Sequence, residues 1–186
     1  MGLINVFTGP MKSGKTSKLI SIYEDLSETT KYKCMMFKPL IDNRFSNTEV
    51  MSRDGERIIC VNIDNIYDLL PYRDLVDIFF IDEFQFIKGQ DLHIILNSFI
   101  DEGKKFYIAG LNLTSERKPF GNMPQLLALA DEVEYLEARC DVCNKPAIYT
   151  YCKNKKENDI LVGDNEYLAL CHECYKKMKW FIFFYL

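Results

Sequence analysis

Along the chain, short runs of Ile, Val and Phe alternate with stretches whose apolar residues recur every three to four positions. Strands buried on both faces read as continuous apolar runs, whereas a helix shows a stripe. The alternation therefore predicts a largely parallel sheet covered by helices. Strands are expected over 3–8, 34–38 (closed by Pro39), 58–61, 78–81 and 106–109, with a last core strand over 133–136. Helices are expected over 17–26 and 124–130, and over 90–102, where Leu92, Ile95, Leu96 and Phe99 form a stripe. Residues 42–55 are polar and without period, the mark of a loop, and 110–121 form a second one. From Arg139 the character changes to paired cysteines, lysines and asparagines with no long periodic segment. That shift places a boundary near Glu137, between a core over 1–137 and an appendage over 138–186, which is what 186 residues have room for.

Charge narrows the partners. Lys and Arg total 23 against 27 Asp and Glu, a net charge of -4. A protein that grips a phosphate backbone carries a basic excess or stripe, so nucleic acid is not expected. The first residues lack the basic segment of a secretory signal, and the apolar tail over 180–186 is far shorter than the roughly 20 residues of a membrane span. The tail is expected to pack on the core or on a neighbouring subunit. Seven cysteines in such a chain point to reduced thiols or a metal in the cytoplasm.

Gly9-Pro10-Met11-Lys12-Ser13-Gly14-Lys15-Thr16 matches the phosphate-loop pattern G-x-x-x-x-G-K-[ST] without deviation. Its glycines let backbone N–H groups wrap a β-phosphate, and the following helix adds its positive end. Lys15 would reach the β- and γ-phosphates of ATP, and the Thr16 hydroxyl suits Mg²⁺. The apolar run 78–81 ends in Asp82 and Glu83. That form places Asp82 near the Mg²⁺ and lets Glu83 accept a proton from an attacking hydroxyl. Cys140-x-x-Cys143 and Cys171-x-x-Cys174 are two knuckles that complete a tetrahedron around one Zn²⁺. Four protein ligands leave no open position, so that metal is structural. His172 is expected to be exposed, and Cys34 and Cys60 to be small core residues.

These motifs, with Asp82-Glu83-Phe84-Gln85-Phe86 and with Lys118-Pro119-Phe120-Gly121 after Gly110-Leu111-Asn112, resemble the type II (cellular and poxviral) thymidine kinases over nearly the whole chain. The resemblance implies a RecA-like P-loop core with a C-terminal zinc-ribbon lasso. It implies MgATP-dependent phosphorylation of the 5′-hydroxyl of thymidine, or of deoxyuridine, with Glu83 as the base. Met11 would pack the thymine methyl, and Phe86, Leu111, Ser115 and Phe120 would line the base pocket. Lasso contacts would fall on Thr150, Asn158, Asp159, Ile160, Leu161, Val162, Gly163 and Tyr167. A homo-oligomer, a tetramer, is implied as well. The family carries an aromatic wall where Ser115 stands, and Phe86 or Phe120 would compensate. Val162-Gly163 and Ser52-Arg53-Asp54-Gly55 also depart from its pattern. Arg44 and Arg117 are candidate transition-state cations. The rivals are a DNA-binding P-loop ATPase, which needs a basic face, and a regulator without catalysis, which the Asp82-Glu83 pair opposes.

Overall fold

The central apolar runs become strands buried along most of their length. The computed structural model describes residues 2–41, 49–51, 57–153 and 166–184. Strands β1 (Leu3–Thr8), β2 (Cys34–Pro39), β3 (Glu49–Met51), β4 (Arg57–Ile63), β5 (Ile78–Ile81), β6 (Lys105–Gly110) and β7 (Glu132–Tyr135) form one seven-stranded sheet, in the order β3-β4-β2-β5-β6-β1-β7. Every pairing is parallel except β3 with β4.

Alternation along the strands divides the core in two. Met36, Ile78, Phe80 and Ala109 pack with Leu19 and Ile20 of helix α1 (Lys15–Thr29). Phe37, Phe79, Ile81, Phe106 and Ile108 cluster with residues of α2 (Leu92–Asp101) and α3 (Met123–Leu129) on the other side. Phe79 sits at the centre of that layer, with the rings of Phe37, Phe99 and Phe106 at 5.7, 5.2 and 5.0 Å. The expected mixed α/β core with a mostly parallel sheet is what forms.

Several expectations need correction. The last core strand is an exposed edge: all four residues of β7 are exposed, because Glu-Val-Glu-Tyr alternates and has only β1 beside it. The loop over 42–55 contains β3 at its middle; its remaining residues lie outside the described ones. A 3₁₀ turn, Ile66–Tyr72, was not expected, although Asn65 and Asp68 form a reciprocal capping box at its start. Beyond Arg139 the chain adds two small antiparallel pairs, β8 (Ala138–Arg139) with β9 (Pro146–Ala147) and β10 (Tyr149–Cys152) with β11 (Tyr167–Leu170). It then enters helix α4 (His172–Phe184), where no long periodic segment was expected. The helical stripe was there but partly written in cysteine. Cys171, Cys174, Tyr175 and Met178 share one small cluster at helical spacing.

Truncating the centre of the aromatic layer tests this packing. Phe79→Ala should cost about 3–5 kcal/mol in urea unfolding. Val133→Ala, on the exposed edge, should stay within about 0.5 kcal/mol.

Candidate active site and metal centre

Parallel pairing aligns Thr8 with Gly110 and Ile81 with Ile108, so the chain leaves β1, β5 and β6 at one edge of the sheet. After β1 the backbone turns at once. Gly9 has φ 150°, and a Cβ there would meet the Leu136 carbonyl oxygen at 2.1 Å, so no other residue fits. Lys12 and Gly14 also take positive φ, 66° and 81°, and α1 begins at Lys15, two residues earlier than expected. Lys15 is not an exposed loop lysine. It is buried, and its ammonium donates to the Pro10 carbonyl at 2.7 Å and to Ser13 Oγ at 3.3 Å. These neutral acceptors are ones that a charged phosphate outcompetes.

The Thr16 hydroxyl donates to Asp82 Oδ2 at 2.9 Å, which joins the end of β5 to the loop after β1. Asp82 is 4% exposed, and its Oδ1 accepts the Glu83 N–H at 3.0 Å. Glu83 adopts a left-handed conformation, φ 50° and ψ 41°, before the 3₁₀ turn Phe84–Phe86. The backbone therefore kinks between the two carboxylates. Such a conformation is uncommon for a residue with a Cβ and is found where surroundings enforce it. The Gln85 amide donates to Glu83 Oε2, and its oxygen accepts the Leu111 N–H at 2.9 Å.

Around this edge lie the other expected residues. Phe86 and Phe120 meet edge to face at 5.3 Å. The Ser115 carbonyl accepts the Tyr175 hydroxyl at 2.7 Å. Arg117, considered as a transition-state cation, lies over the rings of Tyr149 and Tyr175 at 4.5 and 5.6 Å, where it braces 110–121 against the C-terminal segment. Thr150 is buried, and its Oγ1 accepts the Met11 N–H at 2.9 Å. Tyr167 pairs with Cys152 across β10 and β11. Arg44, the segment 52–55, Asn158, Asp159, Ile160, Leu161, Val162 and Gly163 lie outside the described residues.

The two knuckles converge. The Sγ atoms of Cys140, Cys143, Cys171 and Cys174 all lie within 4.8 Å of one another, and Cys143 and Cys171 are 3.6 Å apart. Tetrahedral Zn–S bonds of about 2.3 Å put sulfurs about 3.8 Å apart, so the set fits such an ion. The thiols themselves call for a cation. Burial opposes the Cys140 thiolate, but backbone N–H groups of Cys171, Val142 and Cys143 and the Cys143 thiol outweigh it, and its pKa falls to about 6. Cys174 is pushed up to about 12, first by its hydrogen bond to Cys143, then by burial and the neighbouring thiols. One thiolate forms readily and the next does not; a divalent ion removes that conflict. His172 is exposed and stands beside Tyr149, outside the cysteine group. Cys60 is a core residue as expected, whereas Cys34 is half-buried at the start of β2.

The phosphate loop and this ribbon, far apart in sequence, touch. Besides the Met11–Thr150 bond, Lys12 pairs at 2.8 Å with Asp141, inside the first knuckle, whose Oδ2 also accepts the Ala169 N–H. Asp141, Tyr175 and Gln85 were given no role from sequence. Gln85 does stand in the motif Asp82-Glu83-Phe84-Gln85-Phe86, which marked it out without assigning it a task.

The family model for Thymidine kinase matches residues 2–175. The chain belongs to the thymidine kinase family. It is 36% identical over 177 residues to a thymidine kinase of Porphyromonas gingivalis, covering 95% of this chain and 86% of that one. It is 37% identical over 178 residues to a Mesomycoplasma hyopneumoniae thymidine kinase, covering 94% and 95%. A Bacteroides thetaiotaomicron thymidine kinase is 35% identical over 179 residues, covering 96% and 89%.

Cys171→Ser removes one ligand and should lower bound metal, measured by atomic emission, and thermal stability. Because Thr150 and Asp141 hold the phosphate loop, it should weaken ATP binding too. Metal retention should fall on acidification, since protons compete for the thiolates. Full metal content in the variant would overturn the four-cysteine centre.

Proposed function

We propose that this chain transfers the γ-phosphoryl group of ATP to the 5′-hydroxyl of thymidine, with deoxyuridine as a second acceptor, and releases ADP. The observation that carries this reading is the Thr16–Asp82 hydrogen bond at 2.9 Å, which joins the phosphate loop to the acidic strand end beside Glu83. Family membership names the acceptor class. Lys15 and the amides of Gly9 to Thr16 bind the phosphates and neutralise charge that builds on them. Thr16 and Asp82 would hold Mg²⁺, which would supply charge neutralisation at the nucleotide phosphates. Glu83 takes the proton from the 5′-oxygen as that oxygen attacks the γ-phosphorus and ADP leaves.

Met11, Phe86, Leu111, Ser115 and Phe120 line the nucleoside side, and the Phe86–Phe120 pair supplies the aromatic wall that Ser115 lacks. By the resemblance, Thr150 and Tyr167 contact the nucleoside. Cys140, Cys143, Cys171 and Cys174 would hold a Zn²⁺, which would order the ribbon that carries them. A cytoplasmic enzyme agrees with seven free thiols, and no helix among the described residues is long and apolar enough to cross a membrane. Assembly as a homotetramer follows the resemblance.

ADP release measured with thymidine, and separately with single-stranded DNA, tests the reading. Thymidine should drive turnover and DNA should not; the reverse would make the protein a DNA-dependent ATPase. Lys15→Ala should lower kcat by about 10²–10³-fold or more, with the fold checked by circular dichroism because the side chain also braces the loop. Glu83→Gln should lower kcat by about 10²–10⁴-fold while the ATP and thymidine KM values change little. Rescue of that variant by added Mg²⁺ would move Glu83 from base to metal ligand.

A further inference from the structure

We infer that Gln85 is the positioning residue for the base Glu83, and that it ties the base to the wall of the nucleoside pocket. The inference rests on the reading of Glu83 as base. Gln85 is 3% exposed, and both ends of its amide are used. The Leu111 N–H, 2.9 Å from Oε1, can face only an oxygen, which fixes which way the amide lies. Nε2 therefore points at the carboxylate and donates to Glu83 Oε2. A hydrogen bond to a charged acceptor is stronger than a neutral one, and here its donor is buried.

The surroundings leave Gln85 no other place. A Cβ at Gly110 would meet Gln85 Oε1 at 3.0 Å, and one at Gly121 would meet the Gln85 carbonyl oxygen at 2.0 Å. Gly121 itself has φ 50°, which glycine takes without cost. The carboxylate it holds is carried on a left-handed residue between the end of β5 and the 3₁₀ turn Phe84–Phe86. The amide supplies the direction that the backbone does not. Leu111 opens the 110–121 segment, whose Ser115 carbonyl is held by Tyr175 of the ribbon. A shift of that segment on nucleoside binding is thus carried through one buried amide to the base. Proton transfer is steeply sensitive to the placement of the base, and a displacement of about 1 Å costs on the order of a hundredfold.

Gln85→Glu keeps the shape and the acceptor for Leu111 but replaces the donor to Glu83 by a second carboxylate. Gln85→Met keeps the volume and removes both polar ends. Each is made alone and with Glu83→Gln, and thermal melts confirm folding. For the single variants kcat should fall about a hundredfold while KM for thymidine and ATP stays within about twofold. On the Glu83→Gln background the same changes should cost nothing further, because Gln85 acts only through the base. Unchanged kcat in either folded variant, a loss that multiplies with that of Glu83→Gln, or a rise in KM alone would overturn the inference. An undiminished kcat for Glu83→Gln alone would instead overturn the reading of the base.

Discussion

Parallel pairing of β5, β6 and β1 as neighbours is the constraint on which the chemistry depends. Their C-terminal ends lie side by side, so the chain leaving β1 wraps a phosphate-sized turn beside the carboxylates that follow β5. Strand ends of open parallel sheets are where such folds bind ligands, because backbone amides and helix starts converge there. The turn has little slack: the Leu136 carbonyl packs on Gly9 where a Cβ would sit. The Thr16–Asp82 bond then sets the distance between the loop and the acidic strand.

A second layer holds this edge from outside. The ribbon has its own small apolar cluster around Ala147, Leu170 and Tyr175, too small to order a long segment alone, and the cysteine centre supplements it. Its contacts with the loop differ in weight. The Lys12–Asp141 pair is partly solvated and contributes little, about 0.2–1 kcal/mol. Thr150 matters more because it is buried and satisfies the Met11 N–H, which would otherwise be orphaned under the ribbon. Tyr175 reaches in the other direction, to the Ser115 carbonyl. Cysteine cluster, phosphate loop and the 110–121 segment thus form one connected unit, and the ribbon is not an independent clip.

Much of this was legible beforehand. The sheet was readable because strands covered on both faces must be apolar throughout, as Ile78 to Ile81 are. The loop and the knuckles were readable because close backbone approach demands glycine and tetrahedral ligation demands two closely spaced thiol pairs. β7 was misjudged because an apolar residue in an alternating strand does not say whether a second neighbour covers it. Helix α4 was missed because cysteines of the four-thiol cluster also serve as its inward stripe.

Local chemistry therefore settles which residues can bind phosphate, ligate metal or accept a proton, since each requirement falls on a few positions near one another in the chain. It does not settle their partners. Gln85 on Leu111, Thr150 on Met11, Asp141 on Lys12 and Tyr175 on Ser115 each join segments separated by 26 to 139 residues. A polar side chain can satisfy its hydrogen bonds with water or with many neighbours, so its choice depends on what the packed core brings within about 3 Å. That is why the inventory of the site can be read along the chain, whereas the hydrogen bonds that join Glu83 to Leu111 through Gln85 and seat the ribbon on the phosphate loop exist only once the chain has folded.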